Sequence, residues 1–363
     1  VSQTATLFLF VKGTAESPVE QLVADAQCAA ALDTLEKIRT LPEIGEIVVA
    51  TRSAVFAARA YAWGARVEND PIDEEFHWGK CLRDLVRKYH AAIPLYISGG
   101  SGILLSADDW RAILQQVIGE PNTVVTNNFF SCDLAAWSPG DALEKIAPPA
   151  VDNDLAFRLG EHAGLRVIPL PKNAATQLDI DTPTDLLTTA QHPAVGQHLR
   201  AFLNTTRLDT TRIEEVKTVL GNQNATALVA GRVSASLALF LERATRCQWR
   251  IFSEERGMRA SGRIARGEVR SLLGYYLDSV GAREFFATLA RLSDAAVIDT
   301  RVLFAHRRLD PPASDRFNSD LLQAEQIADP FIRELTIAAR EATIPILLGG
   351  HSVVSGGMYA LAE

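Results

Sequence analysis

The sequence predicts an α/β protein with two doubly wound domains, each a mostly parallel sheet with helices on both faces. Three observations carry this expectation. Short apolar runs rich in Val, Ile and Leu alternate with helical segments, the pattern of β-α-β units whose strands are buried on both faces. The alternation runs twice, interrupted by a polar, Thr-bearing stretch from Gln191 to Arg212 that shows no clear strand. Finally, 363 residues exceed one ordinary core and suit two domains, typically about 100 to 200 residues each. The expected division is residues 1–200 and 201–363, the second being a three-layer α/β domain.

Taken in order, "ATLFLFV" (5–11) reads as the first strand, followed by a helix from Val23 to Leu41, the strand "EIVVAT" (46–51) and a helix from Ala54 to Trp63. "ARVEND" then precedes a helix from Glu75 to Tyr89, the strand "PLYIS", a helix from Ala107 to Ile118 and the strand "TVVTNN" (123–128). Regularity weakens after Pro139, until "LRVIPLP" (165–171) supplies a strand and "LDIDTPTDLLTTA" (178–190) a turn that opens a helix. The second series is "ATALVAGRV" (225–233), a helix from Ser236 to Arg246, "QWRIFSEE" (248–255) and a helix from Glu268 to Leu292. It closes with a strand over "AAVIDTRVLFA" (295–305), a helix from Asp320 to Glu341 and the strand opening "IPILLGGHSVVSGG" (344–357).

Composition narrows the function classes. Apolar residues make up 47% and charged residues 22%, the balance of a folded soluble chain, and no apolar run approaches the ~20 residues that span a bilayer. "ATLFLFV" is too short for a secretory signal and lacks a basic flank, so a cytoplasmic protein with no membrane partner is expected. Cys28, Cys81, Cys132 and Cys247 have no C-x-x-C spacing, which predicts neither a zinc site nor a disulfide framework. A net charge of -8 without a basic block argues against nucleic acid and favours small-molecule partners.

The stretch "PLYISGGSGILLSADDWRAIL" (94–114) reads as a buried strand breaking into a glycine turn before a helix. Together with "FVKG" after the first strand and, most specifically, "LDIDTPTDL" (178–186), it resembles the nucleotidyltransferases of glycosyltransferase-A-type fold. The nearest in pattern are the molybdenum-cofactor and phospholactate guanylyltransferases, and the resemblance covers residues 5–190. It implies a nucleotide-diphospho-sugar transferase-like sheet and transfer of a nucleotidyl group from a nucleoside triphosphate to a phosphorylated, anionic small molecule. It also implies that Lys12, Gly13 and Thr14, with Gly99, Gly100 and Ser101, hold the nucleotide through backbone amides and a cation.

Such chemistry gathers several negative charges, so Mg2+ held by carboxylates is the expected cofactor. Asp179 and Asp181 alternate along an extended segment and so share a face; they, with Asp133, are the candidate metal ligands, and Lys12, Asp179 and Asp181 the candidate catalytic residues. The competing reading of Asp181 is a helix cap before Thr182 and Pro183, and that of Asp133 a solvated or capping carboxylate. Asp70 is a further acidic candidate. His77, next to Glu74, Glu75 and Trp78, either stacks a base or belongs to an amphipathic helix with aromatic anchors. Two departures stand out. Ser101 occupies the place where the resembled turn carries aspartate, and the first loop, "TAESPVEQL", brings Glu16 and Glu20 with no cation beyond Lys12.

The second half resembles no family. "LLGGHSVVSGG" ends an apolar strand and offers Gly349, Gly350, His351 and Ser352 as a turn or as a ligand loop. Arg256, Arg259, Arg301 and Arg316 follow strands and, converging, would cradle an anion; otherwise they pair with Glu254, Asp299 and Asp315. Three functions follow: nucleotidyl transfer in the first domain, a degenerate nucleotide- or sugar-nucleotide-binding regulatory module, or chemistry in the second domain around His351.

Overall fold

The computed structural model describes residues 4–13, 15–68 and 76–363; Thr14, Asp70, Glu74 and Glu75 lie outside the described residues. The chain divides into two compact units: Val1–Thr14, Ala24–Asp179 and Ala194–Phe202 form one, and Ala15–Val23, Ile180–Pro193 and Leu203–Glu363 the other.

The first unit is built on seven strands: β1 (Ala5–Val11), β2 (Ile44–Thr51), β3 (Arg66–Glu68), β4 (Pro94–Ser98), β5 (Thr123–Thr126), β6 (Leu134–Ser138) and β7 (Arg166–Pro169). They lie in the order β3-β2-β1-β4-β6-β5-β7, parallel except for β6, which runs antiparallel to β4 and β5. Strand alternation divides the core. Leu7, Leu9, Leu95 and Ile97 face one helical layer, while Phe8 and Tyr96 face the other, each fully buried side chain contributing roughly 1.5 to 3 kcal/mol. Strand β6 was not anticipated, because "LAAWS" is short, buried throughout and carries no alternation to distinguish strand from coil.

The second unit has four strands, β8 (Thr226–Gly231), β9 (Gln248–Ser253), β10 (Ala295–Asp299) and β11 (Ile346–Gly349), all parallel in the order β11-β10-β8-β9. The helix Thr211–Leu220 packs on β8, β10 and β11, while Leu228, Ile298 and Leu348 join Phe285, Phe286 and Leu335 in a buried cluster.

Three expectations in this unit are corrected. The segment 295–305 is not one strand: the chain leaves the sheet at Asp299, whose carboxylate accepts from the Arg301 amide at 3.2 Å and caps a helix over Thr300–His306. The helix expected from Glu268 begins at Leu272, where Ser271 and Glu254 accept its first amides, and it breaks at Gly281, φ +77°. The helix expected over Asp320–Glu341 is α-helical over Pro330–Arg340, capped by Asp329 with proline in its first turn, while Asp320 ends an earlier helix, Ala313–Asp320. No helix among the described residues is long and apolar enough to cross a membrane.

Candidate functional site

In the first unit, β1 and β4 are parallel neighbours with Phe10 beside Ser98, so their following loops emerge at one rim. The Gly99 amide donates to the Phe10 carbonyl at 2.9 Å, and a Cβ on Gly99 would stand 3.0 Å from Val11 Cγ2. A side chain there would crowd β1. On the other loop Lys12 is exposed and Gly13 has φ +66°, its would-be Cβ 2.5 Å from the Cβ of Ser53, the residue that caps the helix Ala54–Ala62. The turn after β4 closes through the Ser101 amide, which donates to the Ser98 carbonyl at 3.0 Å, while the Ser98 amide donates to the Asp133 carbonyl at 2.9 Å.

The "LDID" segment reaches this turn directly. Asp179 forms an isolated antiparallel bridge with Ser101, and both residues are buried. Gly100 is buried in the same turn. The glycine turn does not itself open a helix. Ile103 and Leu105 intervene, their carbonyls each accepting from Lys37 Nζ at 2.9 Å, and Ser106 caps the helix Ala107–Gly119 in a reciprocal pair with Asp109. Burial pushes the Lys37 ammonium below its usual range, against the pull of Asp33 and Asp109.

Asp133 lies in the turn before β6, where its carboxylate accepts from Asn127 Nδ2 at 3.3 Å and its amide donates to Asn127 Oδ1 at 3.1 Å. Beneath it the Tyr96 hydroxyl donates to Asp152 at 2.6 Å. Burial, with the charges of Asp152 and Asp133, pushes that phenol well above its usual range. Asp152 carries no sequence signal; it stands in the irregular "PPAVDND" segment. His77 Nδ1 accepts from the Lys80 amide at 3.4 Å and caps the helix Trp78–Lys88.

Asp181 falls in the second unit and is exposed. The cap of the helix Pro183–Ala190 is Thr182, not Asp181, and the carboxylate that organises it is Asp185. Its Oδ2 accepts from the Thr182 amide at 2.7 Å, the Thr182 hydroxyl at 2.9 Å and the Asp181 amide at 3.1 Å. Asp185 Oδ1 is buried without a hydrogen-bond partner among the described residues. Burial and the Asp181 charge push this carboxyl up to about 7. The "S/T-x-x-D/E" spacing of Thr182 and Asp185 was its available signal.

Among the described residues, Asp33, Glu36 and His198 bring their ligand atoms within 4.8 Å of one another. That cluster has a structural occupation. Asp33 accepts from the His198 and Leu199 amides at 2.8 and 2.9 Å, capping the helix Gln197–Thr205, and Arg59 lies 3.3 Å from His198 Nδ1.

In the second unit Gly349 ends β11, and Gly350 and His351 follow it, with Ser352 buried in a short 3-10 turn. Arg301 binds Asp320 through both terminal nitrogens, Arg256 is exposed in the loop after β9, and Arg316 is half-buried in the helix Ala313–Asp320. Glu254 and Asp315, expected as arginine partners, instead accept backbone amides: Leu272 at 2.8 Å for the first, Ala328 and Asp329 at 2.9 and 2.8 Å for the second.

No family model matches the chain, and no curated protein does. Solved structures do. A Desulfovibrio desulfuricans G20 protein assigned as a nucleotide-diphospho-sugar transferase is 13% identical over 57% of this chain and 100% of its own, with a TM-score of 0.41. A cytidylyltransferase from Leptospira borgpetersenii serovar Hardjo-bovis is 13% identical over 56% of this chain and 94% of its own, with a TM-score of 0.40. CMP:2-keto-3-deoxy-manno-octonic acid synthetase, complexed with CTP, is 14% identical over 47% of this chain and 90% of its own, with a TM-score of 0.33. The finer resemblance to molybdenum-cofactor and phospholactate guanylyltransferases finds no support among these structures. The chain combines a seven-stranded, mostly parallel sheet with a second, four-stranded parallel sheet, an α/β architecture in each unit.

Proposed function

We propose that the first unit binds a nucleoside triphosphate at the β1–β4 rim and transfers its nucleotidyl group to a phosphorylated small molecule. The observation that carries this reading is the Ser101–Asp179 bridge, which sets a buried carboxylate beside a glycine turn at the carboxyl ends of the central strands. Gly13 and Gly99 let the two loops pack closely against Ser53 and β1, and exposed Lys12 supplies the cation. The donor set fits magnesium. All candidate donors are hard oxygens, and Mg2+ is commonly held by one or two carboxylates together with substrate phosphates, so Asp179, with the Ser101 hydroxyl, suffices on the protein side. Bound there, Mg2+ would neutralise charge on the triphosphate.

In the transfer, an acceptor phosphate oxygen attacks the α-phosphorus, the α–β anhydride bond breaks and pyrophosphate leaves. Lys12 neutralises the departing charge, and the glycine turn holds the triphosphate in line. The test is pyrophosphate release from each nucleoside triphosphate with a panel of phosphorylated acceptors. Asp179→Asn is expected to lower the rate by about a hundredfold or more. Pyrophosphate release that survives this substitution in the folded variant contradicts the assignment.

A second reading, nucleotide binding without transfer, is favoured by Ser101 itself: a neutral hydroxyl stands where the resembled turn carries a carboxylate. It predicts triphosphate binding with no pyrophosphate release on any acceptor.

A further inference from the structure

The strand order of the second unit marks a place that the first unit's chemistry does not use. The chain leaves β8 toward β9 on one side and resumes with β10 and β11 on the other, so the winding reverses between β8 and β10. In open α/β sheets the crevice beyond the strand ends at such a reversal receives ligands. The backbone there is tightly drawn. Gly231, at the end of β8, has φ +122°, and a Cβ on it would lie 2.4 Å from the Cβ of Asp299 at the end of β10.

Two arginines at this rim are neutralised within the protein. Arg232 Nε and Nη2 donate to Asp299 at 2.6 and 3.0 Å, and Arg301 Nη1 and Nη2 donate to Asp320 at 2.7 and 2.6 Å. Both carboxylates are fully buried. Three other arginines, Arg256, Arg259 and Arg316, have no ion pair and no side-chain hydrogen bond among the described residues.

Arg316 is the most telling. Its Nε is buried without a partner, and its surroundings include Arg301 and Arg259 against Asp310, which is exposed, and Asp320, which Arg301 already holds. Burial and the Arg301 charge push this guanidinium below its usual range, the mark of a cation whose surroundings do not compensate it. On the other side of Arg301, a Cβ on Gly350 would stand 3.7 Å from its Nε and 3.2 Å from Thr182 Cγ2, and His351 follows at once. His351 lies in the field of Arg232, Asp299 and Arg256; burial, then the Arg232 charge, push it down to about 4, so at neutral pH it is an uncharged donor and acceptor.

We propose that this rim of the second unit binds a phosphate-bearing small molecule, its phosphate held by Arg316 with Arg256 and Arg259 and its adjoining polar groups facing His351. Phosphate is preferred to a lone carboxylate because three guanidinium groups without an ion pair, one of them with a buried unpartnered nitrogen, suit a multiply charged, many-oxygen acceptor.

Isothermal titration of the full chain, free of Mg2+, with inorganic phosphate and pyrophosphate tests this, with acetate as the singly charged control. The expected result is binding of phosphate or pyrophosphate but not acetate, weakened about tenfold or more by Arg316→Gln, while Lys12→Gln reports whatever part of the binding belongs to the first unit. Arg316→Gln is also expected to raise the Tm of the ligand-free protein, since it removes an uncompensated, partly buried charge; a purely structural arginine would lower it. Should Arg316→Gln fail to fold, the Arg256→Gln/Arg259→Gln pair in the exposed loop repeats the titration. No binding of either anion, affinity unchanged in the arginine variants, or loss confined to Lys12→Gln overturns the proposal.

Discussion

The strand-end rims of the two units are built from the same kind of parallel sheet and held by different forces. At β1 and β4 the closing contacts are largely backbone: Gly99 to Phe10, Ser98 to Asp133, Ser101 to Asp179. At β8 and β10 they are buried ion pairs between residues far apart in sequence, Arg232 with Asp299 and Arg301 with Asp320. A backbone-built rim depends on glycine at its close approaches and little on side-chain charge. A charge-built rim is intolerant of losing one partner and leaves whatever charge is unmatched for a ligand.

The largest expected effect follows from that contrast. Asp320→Ala leaves Arg301 buried and unpaired and should cost about 3 to 5 kcal/mol of unfolding free energy in urea, whereas Ser101→Ala at the first rim should cost about 1 kcal/mol. Equal costs would erase the distinction between the two rims.

A pH profile sharpens it. Asp185 has a folded value of about 7, above its ordinary 3.8, so across that window the folded state holds a proton the unfolded state has released. Its contribution is fully present below about pH 4 and is lost as the pH rises through 7, at a slope on the order of 1.4 kcal/mol per pH unit. His351 acts in the opposite sense. Its folded value of about 4 lies below 6.5, so its contribution is lost as the pH falls from 6.5 through 4. The two oppose each other in the wild type. Asp185→Asn should therefore leave a profile in which stability rises from pH 4 to 6.5, read as urea midpoints at several pH values. A variant profile parallel to the wild type would show that Asp185 is ionised throughout.

How much of this was legible in the sequence follows from the same contrast. The parallel sheets were readable because strands buried on both faces appear as apolar runs, and the first rim because glycines and the D-I-D string mark backbone requirements. Strand β6 and the helix at Thr300–His306 were missed, since "LAAWS" lacks alternation and "VIDTRVLFAH" stays apolar across the point where Asp299 ends the strand. The pairings of the second rim were not readable at all. Nothing in the spacing of Arg232 and Asp299, 67 residues apart, announces their contact, and nothing told Arg301, which is neutralised, from Arg316, which is not.

A smaller effect is expected from Ser101→Asp, which places a second carboxylate beside Asp179. Magnesium-dependent triphosphate affinity should rise a few-fold, at some cost in stability from the like charge. Unchanged affinity in the folded variant would remove Ser101 from the metal's surroundings.

The most direct test of the central claim is thermal stabilisation of the full chain by each nucleoside triphosphate, with and without Mg2+, in wild type and Asp179→Asn. A site at the β1–β4 rim predicts that at least one triphosphate, at about 100 times its Kd, stabilises the wild type by roughly 2.7 kcal/mol when Mg2+ is present, and that Asp179→Asn abolishes the shift. Stabilisation by no triphosphate, or an undiminished shift in Asp179→Asn, would contradict it.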